Sequence, residues 1–285
     1  MPPGRGPIAG TLRTVRARGF VRVARPIGVV GVGVVFLLPL LILIVGSFRP
    51  EGLAPPRTFE LPTDPTLANY SRAGELVPLG RLFANSLWVS AIVVPVSVVV
   101  ASWAGFAAGR LPRRGAAAIV LAAIVALSVP ATALIVGRLV VYRATGIAGG
   151  PGPLLAPALL GTTPLAVLVF AWRFRTLPGS VWDLAREAGL SPIATWWHVA
   201  MPLTRTTTSA VAALAFLLTW GNVLDPLFFV PDPRWATLPL GVRSLASLPA
   251  PSQPVMLAGA LIATLPALAA AAALLRRAAD MGGDP

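Results

Sequence analysis

The chain alternates long apolar runs with short polar segments. A helix needs about 20 mostly apolar residues to cross the hydrocarbon layer of a bilayer. Six runs are long enough, near residues 27–48, 82–109, 117–141, 154–173, 207–230 and 255–275. The pattern therefore predicts an all-α polytopic membrane protein with six transmembrane helices.

The overall composition supports the same class. Of the 285 residues, 56% are hydrophobic and 12% are charged, and the mean hydropathy is +0.79. A soluble domain of this length could not hide so much apolar surface. The first run is too long for the apolar core of a signal peptide and is followed by no convincing cleavage site, so we expect it to be retained as the first span. Several runs contain proline, which bundled transmembrane helices tolerate; these prolines are Pro39, Pro95, Pro130 and Pro266.

The distribution of arginine predicts the orientation. The tail 1–26 has six arginines and no acidic residue, and the loop after the second run contains Arg110, Arg113 and Arg114. Positive residues concentrate on the cytoplasmic side, whereas the segment 49–81 balances four arginines with four acids and should face outside. With six spans, the tail 276–285 and segment 178–203 should also be cytoplasmic.

Segment 178–203, called the insert below, is a polar interruption between the fourth and fifth runs. Ser180 is a candidate N-cap after a Pro-Gly break, with Asp183 three residues later. Gly189 stands where a left-handed residue ends a helix, and Ser191-Pro192 supplies a second helix start. The pattern predicts two short helices joined at a glycine. This punctuation alone leaves a docking surface and an ordinary surface hairpin equally open.

The insert resembles the EAA loop of bacterial ABC importer permeases. That loop has a Glu-Ala-Ala start, a glycine six residues after the glutamate, and a proline thirteen residues after that glycine. Gly189 and Pro202 keep this spacing, and Ala185 matches the second alanine. Four identities differ from the family pattern: Asp183 replaces the glutamate, Leu184 the first alanine, Ala188 an aspartate and Met201 a leucine.

Motifs elsewhere in the chain resemble the carbohydrate-uptake branch of that family, in particular the second permease subunits of maltose-type and glycerol-phosphate-type importers. TLANY precedes the second run, FANSLWVS opens it and WAGFAAGRLPRRG ends it. FLLTWGNVLDPLFF, ATLPLGVRSL and a final Ala-rich run follow the insert. The resemblance extends over nearly the whole chain after residue 26.

The resemblance implies a transport mechanism and its partners. Two homologous permease subunits would form the path for a sugar or sugar-like solute. Two ATP-binding-cassette ATPase subunits would dock beneath them, and an extracytoplasmic solute-binding lipoprotein would deliver the solute. The expected location is the bacterial cytoplasmic membrane.

The resemblance also implies that the insert is a coupling helix held by an ATPase subunit. The expected coupling residues are Asp183, Ala185, Arg186, Glu187, Gly189 and Pro202. For Asp183, capping of a helix is an equally open role. Arg186 and Glu187 could instead be solvated surface charges.

The chain lacks the residues that several enzyme classes require. None of its 23 basic residues is a lysine, so it has no phosphate-binding P-loop, and ATP and magnesium would bind only to the partner ATPase. It has no cysteine, and its single histidine, His198, has no evident ligand partners nearby. The net charge of +13 fits arginines at span ends better than it fits nucleic-acid binding. We expect a transport subunit without a cofactor of its own, not an enzyme.

A second group of polar residues falls within the fifth apolar run. An isolated carboxylate at membrane depth costs about 3 kcal/mol, so Asp225 should face a cavity or a partner. Asn222 would share its side of a helix, and Trp220 is nearby. The family usually has Trp-Asn here, whereas this chain has Gly221 after the tryptophan. Trp220, Asn222 and Asp225 are our candidate solute-path residues, and Arg138 could either pair with Asp225 or reach an interface by snorkelling.

Small residues at four-residue spacing mark the second run. Ala101, Gly105 and Gly109 would lie along one side of a helix, a pattern that lets another helix approach closely. We therefore predict a helix interface there, either within this subunit or with a partner permease.

Two other functions remain open from the sequence. The chain could be an ABC importer permease for another class of solute, since EAA loops occur in many importers. It could also be a stand-alone membrane carrier or scaffold, which would function without an ATPase partner.

Overall fold

The computed structural model describes residues 31, 33–52, 60–156, 163–249 and 252–282. Every regular element within these ranges is helical, which confirms the predicted all-α class. Short 3₁₀ turns at Ala131–Leu134, Pro233–Trp235 and Leu245–Ser247 join some of the helices. The helices are α1 (Gly33–Ser47), α2 (Ala68–Leu76), α3 (Leu79–Arg110), α4 (Arg113–Ser128), α5 (Ile135–Ala144), α6 (Gly152–Leu155), α7 (Thr163–Thr176), α8 (Gly179–Glu187), α9 (Pro192–Leu203), α10 (Arg205–Trp220), α11 (Leu224–Phe229), α12 (Leu238–Ser244) and α13 (Gln253–Gly282).

Two of the described helices, α3 and α13, are long and apolar enough to cross a bilayer, and up to four spans result if each of two bent helix pairs counts as one. The predicted runs 82–109 and 255–275 each lie within one of these long helices. The runs 27–48 and 154–173 extend outside the described residues; α1 lies in the first run, and the end of α6 and most of α7 lie in the second. The predicted count of six spans therefore stays a prediction.

The predicted span 117–141 is bent and not one continuous helix. Helix α4 ends at Ser128, and it meets the Ala131–Ala144 stretch at an angle of 89°. Pro130 explains the break, because proline removes a backbone donor and disfavours a helical conformation in the residue before it. Val129 is accordingly extended, with φ −88° and ψ 117°. The bend turns α5 away from the axis of α4.

The predicted span 207–230 is also divided between two helices. Helix α10 ends at Trp220, and residues 221–223 separate it from α11. The side-chain oxygen of Asn222 accepts a hydrogen bond from the Asp225 amide at 3.1 Å. Such a bond starts a new helix instead of continuing the previous one. Asp225 therefore lies in the first turn of α11.

The small residues of α3 form a contact within the subunit. A Cβ atom on Gly105 would lie 2.5 Å from the Cβ atom of Phe170, so only glycine allows α7 to approach this closely. Ala101 is fully buried, and Gly109 of α3 lies against Phe174 of α7. The predicted helix interface is confirmed, and its second member is α7.

The outside of the bundle carries many apolar side chains. Phe36 of α1 is 79% exposed, and Val136 of α5 is 73% exposed. So many exposed large apolar side chains are rare on soluble monomers and are stable against lipid or another apolar helix. The exterior therefore has the character of a membrane protein.

Candidate functional site

The insert folds as two short helices, α8 and α9, joined at Gly189. Gly189 has a φ of +69°, in the left-handed region that glycine adopts without strain. The Leu190 amide donates to the Ala185 carbonyl (3.1 Å), and the Gly189 amide donates to the Arg186 carbonyl (3.0 Å). These two bonds form a Schellman motif, which satisfies carbonyls at the end of α8. The predicted glycine elbow is confirmed.

Of the two helix starts predicted in the insert, the structure has one as predicted and not the other. Ser191 accepts a hydrogen bond from the amide three residues on (3.2 Å), and Pro192 takes the first helical position, as predicted. The predicted N-cap at Ser180 is wrong, because α8 already begins at Gly179. The residue before it, Pro178, has extended backbone (φ −56°, ψ 142°) from which the chain turns directly into the helix.

The charged side chains of the insert lie in solvent. Asp183 sits in the second turn of α8 and pairs with Arg186 at 3.3 Å, and the two side chains are 61% and 72% exposed. Asp183 is therefore too far along the helix for the capping role. Glu187 is exposed as well. An exposed pair of this kind contributes only about 0.3–0.5 kcal/mol, so these charges remain available to a partner.

The two other residues expected to act in coupling differ in their environment. Ala185 is buried against the bundle, and Pro202 is exposed. The match of Ala185 to the EAA pattern is therefore explained by packing within this chain, where a larger side chain would not fit as well.

Trp196 fastens α9 to α3. Its indole Nε1 donates to Ser102 Oγ at 3.2 Å, and its ring stacks on Trp103 with centroids 5.2 Å apart. Residues 196–200 of α9 form a wider π-helical turn at this contact. A buried tryptophan combines a large apolar area with one directional hydrogen bond. A displacement of α9 would therefore be passed directly to α3.

Helix α8 contacts the same end of α3. The Trp182 ring meets the Phe106 ring edge-on, with centroids 5.9 Å apart. The Arg110 guanidinium lies over both rings, 5.2 Å from the Phe106 centroid and 5.5 Å from the Trp182 centroid. Cation–π contacts hold this arginine in place. Both helices of the insert are thus attached to the last turns of α3.

The outer face of the insert is apolar and has no contact within the described part of the chain that would cover it. Leu184 and Ile193 are each 64% exposed, and Trp197 is 58% exposed. Helix α9 meets α10 at 87°. If α10 crosses the membrane, α9 therefore lies along the membrane surface with these side chains accessible. Apolar anchors on a short helix suit docking into a groove of another protein.

Asp225 is buried within a polar cluster. Its carboxylate Oδ1 pairs with Arg138 Nη1 at 2.8 Å, and its Oδ2 accepts a hydrogen bond from Asn222 Nδ2 at 2.8 Å. The Asp225 and Arg138 side chains are 8% and 19% exposed. Pairing and hydrogen bonding offset the cost of burying these two charges. Of the two roles considered for Arg138, the pairing with Asp225 is confirmed.

Two aromatic rings complete the surroundings of Arg138. Its Nε donates to the Tyr142 hydroxyl at 3.0 Å, and its guanidinium lies 4.6 Å from the centroid of the Phe229 ring. Tyr142 meets Phe229 edge-on at 5.1 Å. The bend at Pro130 places α5 so that Arg138 can reach α11. The cluster therefore joins α5 and α11, the helices that follow the non-helical residues 129–130 and 221–223.

Trp220 faces a different part of the bundle. Its indole Nε1 donates to the Ala263 carbonyl of α13 at 2.8 Å, and its ring stacks on Phe216. It packs with Leu82 of α3 and Leu238 of α12. The structure therefore brings together Asn222 and Asp225 of the predicted group, and Trp220 contacts α13 instead.

The described residues include no group of His, Cys, Asp or Glu that could hold a metal ion. His198 is exposed, and its Nδ1 lies 3.2 Å from the Ala194 carbonyl of its own helix. His198 is thus an exposed residue on α9.

Known proteins resemble this chain in sequence. No family model matches it. The arabinooligosaccharides transport system permease protein AraQ of Halalkalibacterium halodurans is 27% identical over 247 residues, which cover 84% of this chain and 87% of that protein. The lactose transport system permease protein LacG of Rhizobium radiobacter is 25% identical, covering 67% and 69%. The inner membrane ABC transporter permease protein YcjP of Escherichia coli is 25% identical, covering 82% and 84%.

A solved structure has the same fold. It is the crystal structure of a bacterial ABC transporter involved in the import of the acidic polysaccharide alginate. The TM-score is 0.73 at 16% identity, covering 96% of this chain and 99% of that one. Together with the curated relatives, this likeness confirms the resemblance to sugar ABC transport permeases that the sequence motifs indicated.

Proposed function

We propose that this chain is a transmembrane permease subunit of an ABC importer that carries a sugar or sugar-like solute across the cytoplasmic membrane. The insert is the observation that carries the proposal. It bends at Gly189, is fastened to α3 through Trp196, and is apolar on its outer face. Two relatives are named as permeases for arabinooligosaccharides and for lactose, and these names support a sugar as the solute.

In the proposed topology, the chain crosses the membrane six times with both termini inside. The spans are α1, α3, the bent α4–α5 pair, α7, α10 with α11, and α13. The arginine-rich tail 1–26 and the arginines after α3 support this orientation. The insert is then cytoplasmic, on the side where ATP is available.

The proposed energy source is a separate subunit. Two ATPase subunits bind the insert of this chain and that of a second permease, and a solute-binding lipoprotein delivers the solute from outside. When the ATPases close, they move the two inserts. Because Trp196 and Trp182 attach the insert to α3, this movement shifts α3 and the helices that pack on it. Such a bundle can alternate between two packings when a rigid element biases them.

The proposed solute path passes the polar cluster of α11. Asn222 and Asp225 present amide and carboxylate groups near a break between helices, where backbone and side chains can line a cavity. The pairing of Asp225 with Arg138 leaves the cluster without net charge. A neutral polar lining suits a polyhydroxylated solute.

ATP-dependent uptake tests the proposed function. The chain would be co-expressed with its partner permease, ATPase and binding protein, and the purified complex would be reconstituted in liposomes. We expect uptake of radiolabelled sugar only when ATP is enclosed with the ATPase. Omitting the ATPase should abolish uptake. Uptake by this chain without any ATPase would contradict the proposal and favour a stand-alone carrier, and uptake of only a non-carbohydrate solute would favour the other permease class.

A further inference from the structure

A small pocket lies beside the polar cluster, between α3, α6, α10 and α11. Its volume is about 30 Å³. One water-sized group needs about 10–15 Å³ on this measure, so the pocket has room for one hydroxyl or one hydroxymethyl group and not for a sugar ring. The lining residues are Val89, Leu154, Leu218, Thr219, Asn222, Pro226 and Thr237.

Two hydroxyl groups in this lining are buried and unpaired. Thr219 Oγ1 and Thr237 Oγ1 have no hydrogen-bond partner among the residues that the structure describes. Thr237 is only 6% exposed. Most buried hydroxyls are hydrogen-bonded, because leaving one unpaired costs the full loss of its hydration. Two such groups at one small pocket therefore point to a polar group that binds there.

The local sequence explains why Thr237 is free to bind such a group. A threonine directly before a helix normally accepts a hydrogen bond from an amide of the first turn. Here Pro239, at the second helical position, has no amide hydrogen to donate, and the Leu238 amide donates to Ser86 Oγ (2.8 Å). Thr237 makes no capping bond, so its hydroxyl remains available to the pocket.

The side-chain amide of Asn222 adds a third neutral polar group to the pocket. One hydrogen of its Nδ2 is directed to Asp225 Oδ2, and the amide carries a second hydrogen. The nearby charges of Asp225 and Arg138 are directed at each other. The pocket thus offers two hydroxyls and an amide, all neutral, to a group that both donates and accepts hydrogen bonds.

We propose that this pocket is a subsite for one hydroxyl or hydroxymethyl group of a carbohydrate solute, bound by Thr219 and Thr237. The inference rests on the proposed function, because it concerns the solute that the importer carries. A water molecule offers the same chemistry, so the experiment must separate a hydroxyl of the solute from water.

The experiment compares hydroxyl-free variants in the reconstituted complex. Uptake of radiolabelled lactose, trehalose and arabinotriose would be measured for the parent chain, Thr219→Val and Thr237→Val. We expect each variant to raise the KM for the transported sugar roughly three- to tenfold, the value of one hydrogen bond. Thr219→Ser and Thr237→Ser, which keep the hydroxyl, should restore the KM. The control is Thr264→Val, because Thr264 Oγ1 bonds the Ala260 carbonyl of its own helix (2.8 Å).

Each outcome has one meaning. An unchanged KM with a lower unfolding temperature would show that the hydroxyls bind only water, and it would overturn the inference alone. If a valine variant does not insert into the membrane, Thr219→Ala and Thr237→Ala are used in place of the two valine variants, with the same expected rise in KM. A parent complex that takes up none of the three sugars would contradict the carbohydrate function and the subsite together.

Discussion

Replacing Gly189 by valine is expected to abolish solute uptake while the protein stays in the membrane. Gly189 has a φ of +69°, a conformation that is strongly unfavourable for a β-branched residue. Apart from its own chain neighbours, no atom of the described residues lies within 4 Å of the position a Cβ would take, so the damage comes from the backbone conformation and not from a clash. The variant should re-form the elbow with another angle and misplace α9 relative to α8. Uptake in liposomes and the amount of protein in the membrane would both be measured.

Gly189→Asn is the matched control. Asparagine adopts the left-handed region more readily than other residues with a side chain, and the site has space for it. We expect this variant to retain most of the uptake. Normal uptake by Gly189→Val would contradict the role of the elbow in coupling.

Replacing Asp225 by alanine is expected to destabilise the protein by about 3–5 kcal/mol, because it leaves Arg138 buried without its partner. The pair distance of 2.8 Å and the low exposure of both side chains make this one of the most sensitive positions in the described chain. The variant also removes a partner of Asn222 at the proposed solute path, so uptake should fall. Thermal unfolding in detergent measures the first effect, and initial uptake rates measure the second.

A double variant separates the two effects. In Asp225→Leu combined with Arg138→Met, no unpaired charge remains, so stability should recover to near that of the parent. Uptake should remain low if Asp225 lines the path. Recovery of both stability and uptake would show that the pair has only a structural role. If Asp225→Ala changed neither the transport rate nor the preference among solutes, the solute-path assignment would have to be dropped.

The insert could be predicted well because its signals are local. Gly189 and Ser191-Pro192 are residue types whose backbone preferences depend little on the rest of the fold. The error at Ser180 has a local cause as well, since the chain enters α8 directly after Pro178. The sequence did not predict that Trp196 anchors the insert to α3. Whether Trp196 or its neighbour Trp197 is buried depends on where α3 lies.

The long apolar runs could be predicted, but their bends could not. Hydropathy averages over about 20 residues and is insensitive to a break of two or three residues. Pro130 is such a break, whereas Pro95 lies within the continuous helix α3. A proline therefore interrupts a helix at one position and not at another, depending on the helices that pack around it. The pairing of Arg138 with Asp225 was left open for a related reason, since it depends on the bend before α5.

Cross-linking of the insert to the ATPase tests the central claim most directly. The chain has no cysteine, so a single Ile193→Cys substitution places one thiol on the outer face of α9, and Leu67→Cys places one before α2 as a control. In a transporting complex, we predict that the thiol at position 193 is cross-linked to a cysteine on the ATPase subunit, with a yield that changes when ATP is added. The thiol at position 67 should give no such product. Absence of any product from position 193, or an equal yield from position 67, would contradict the account.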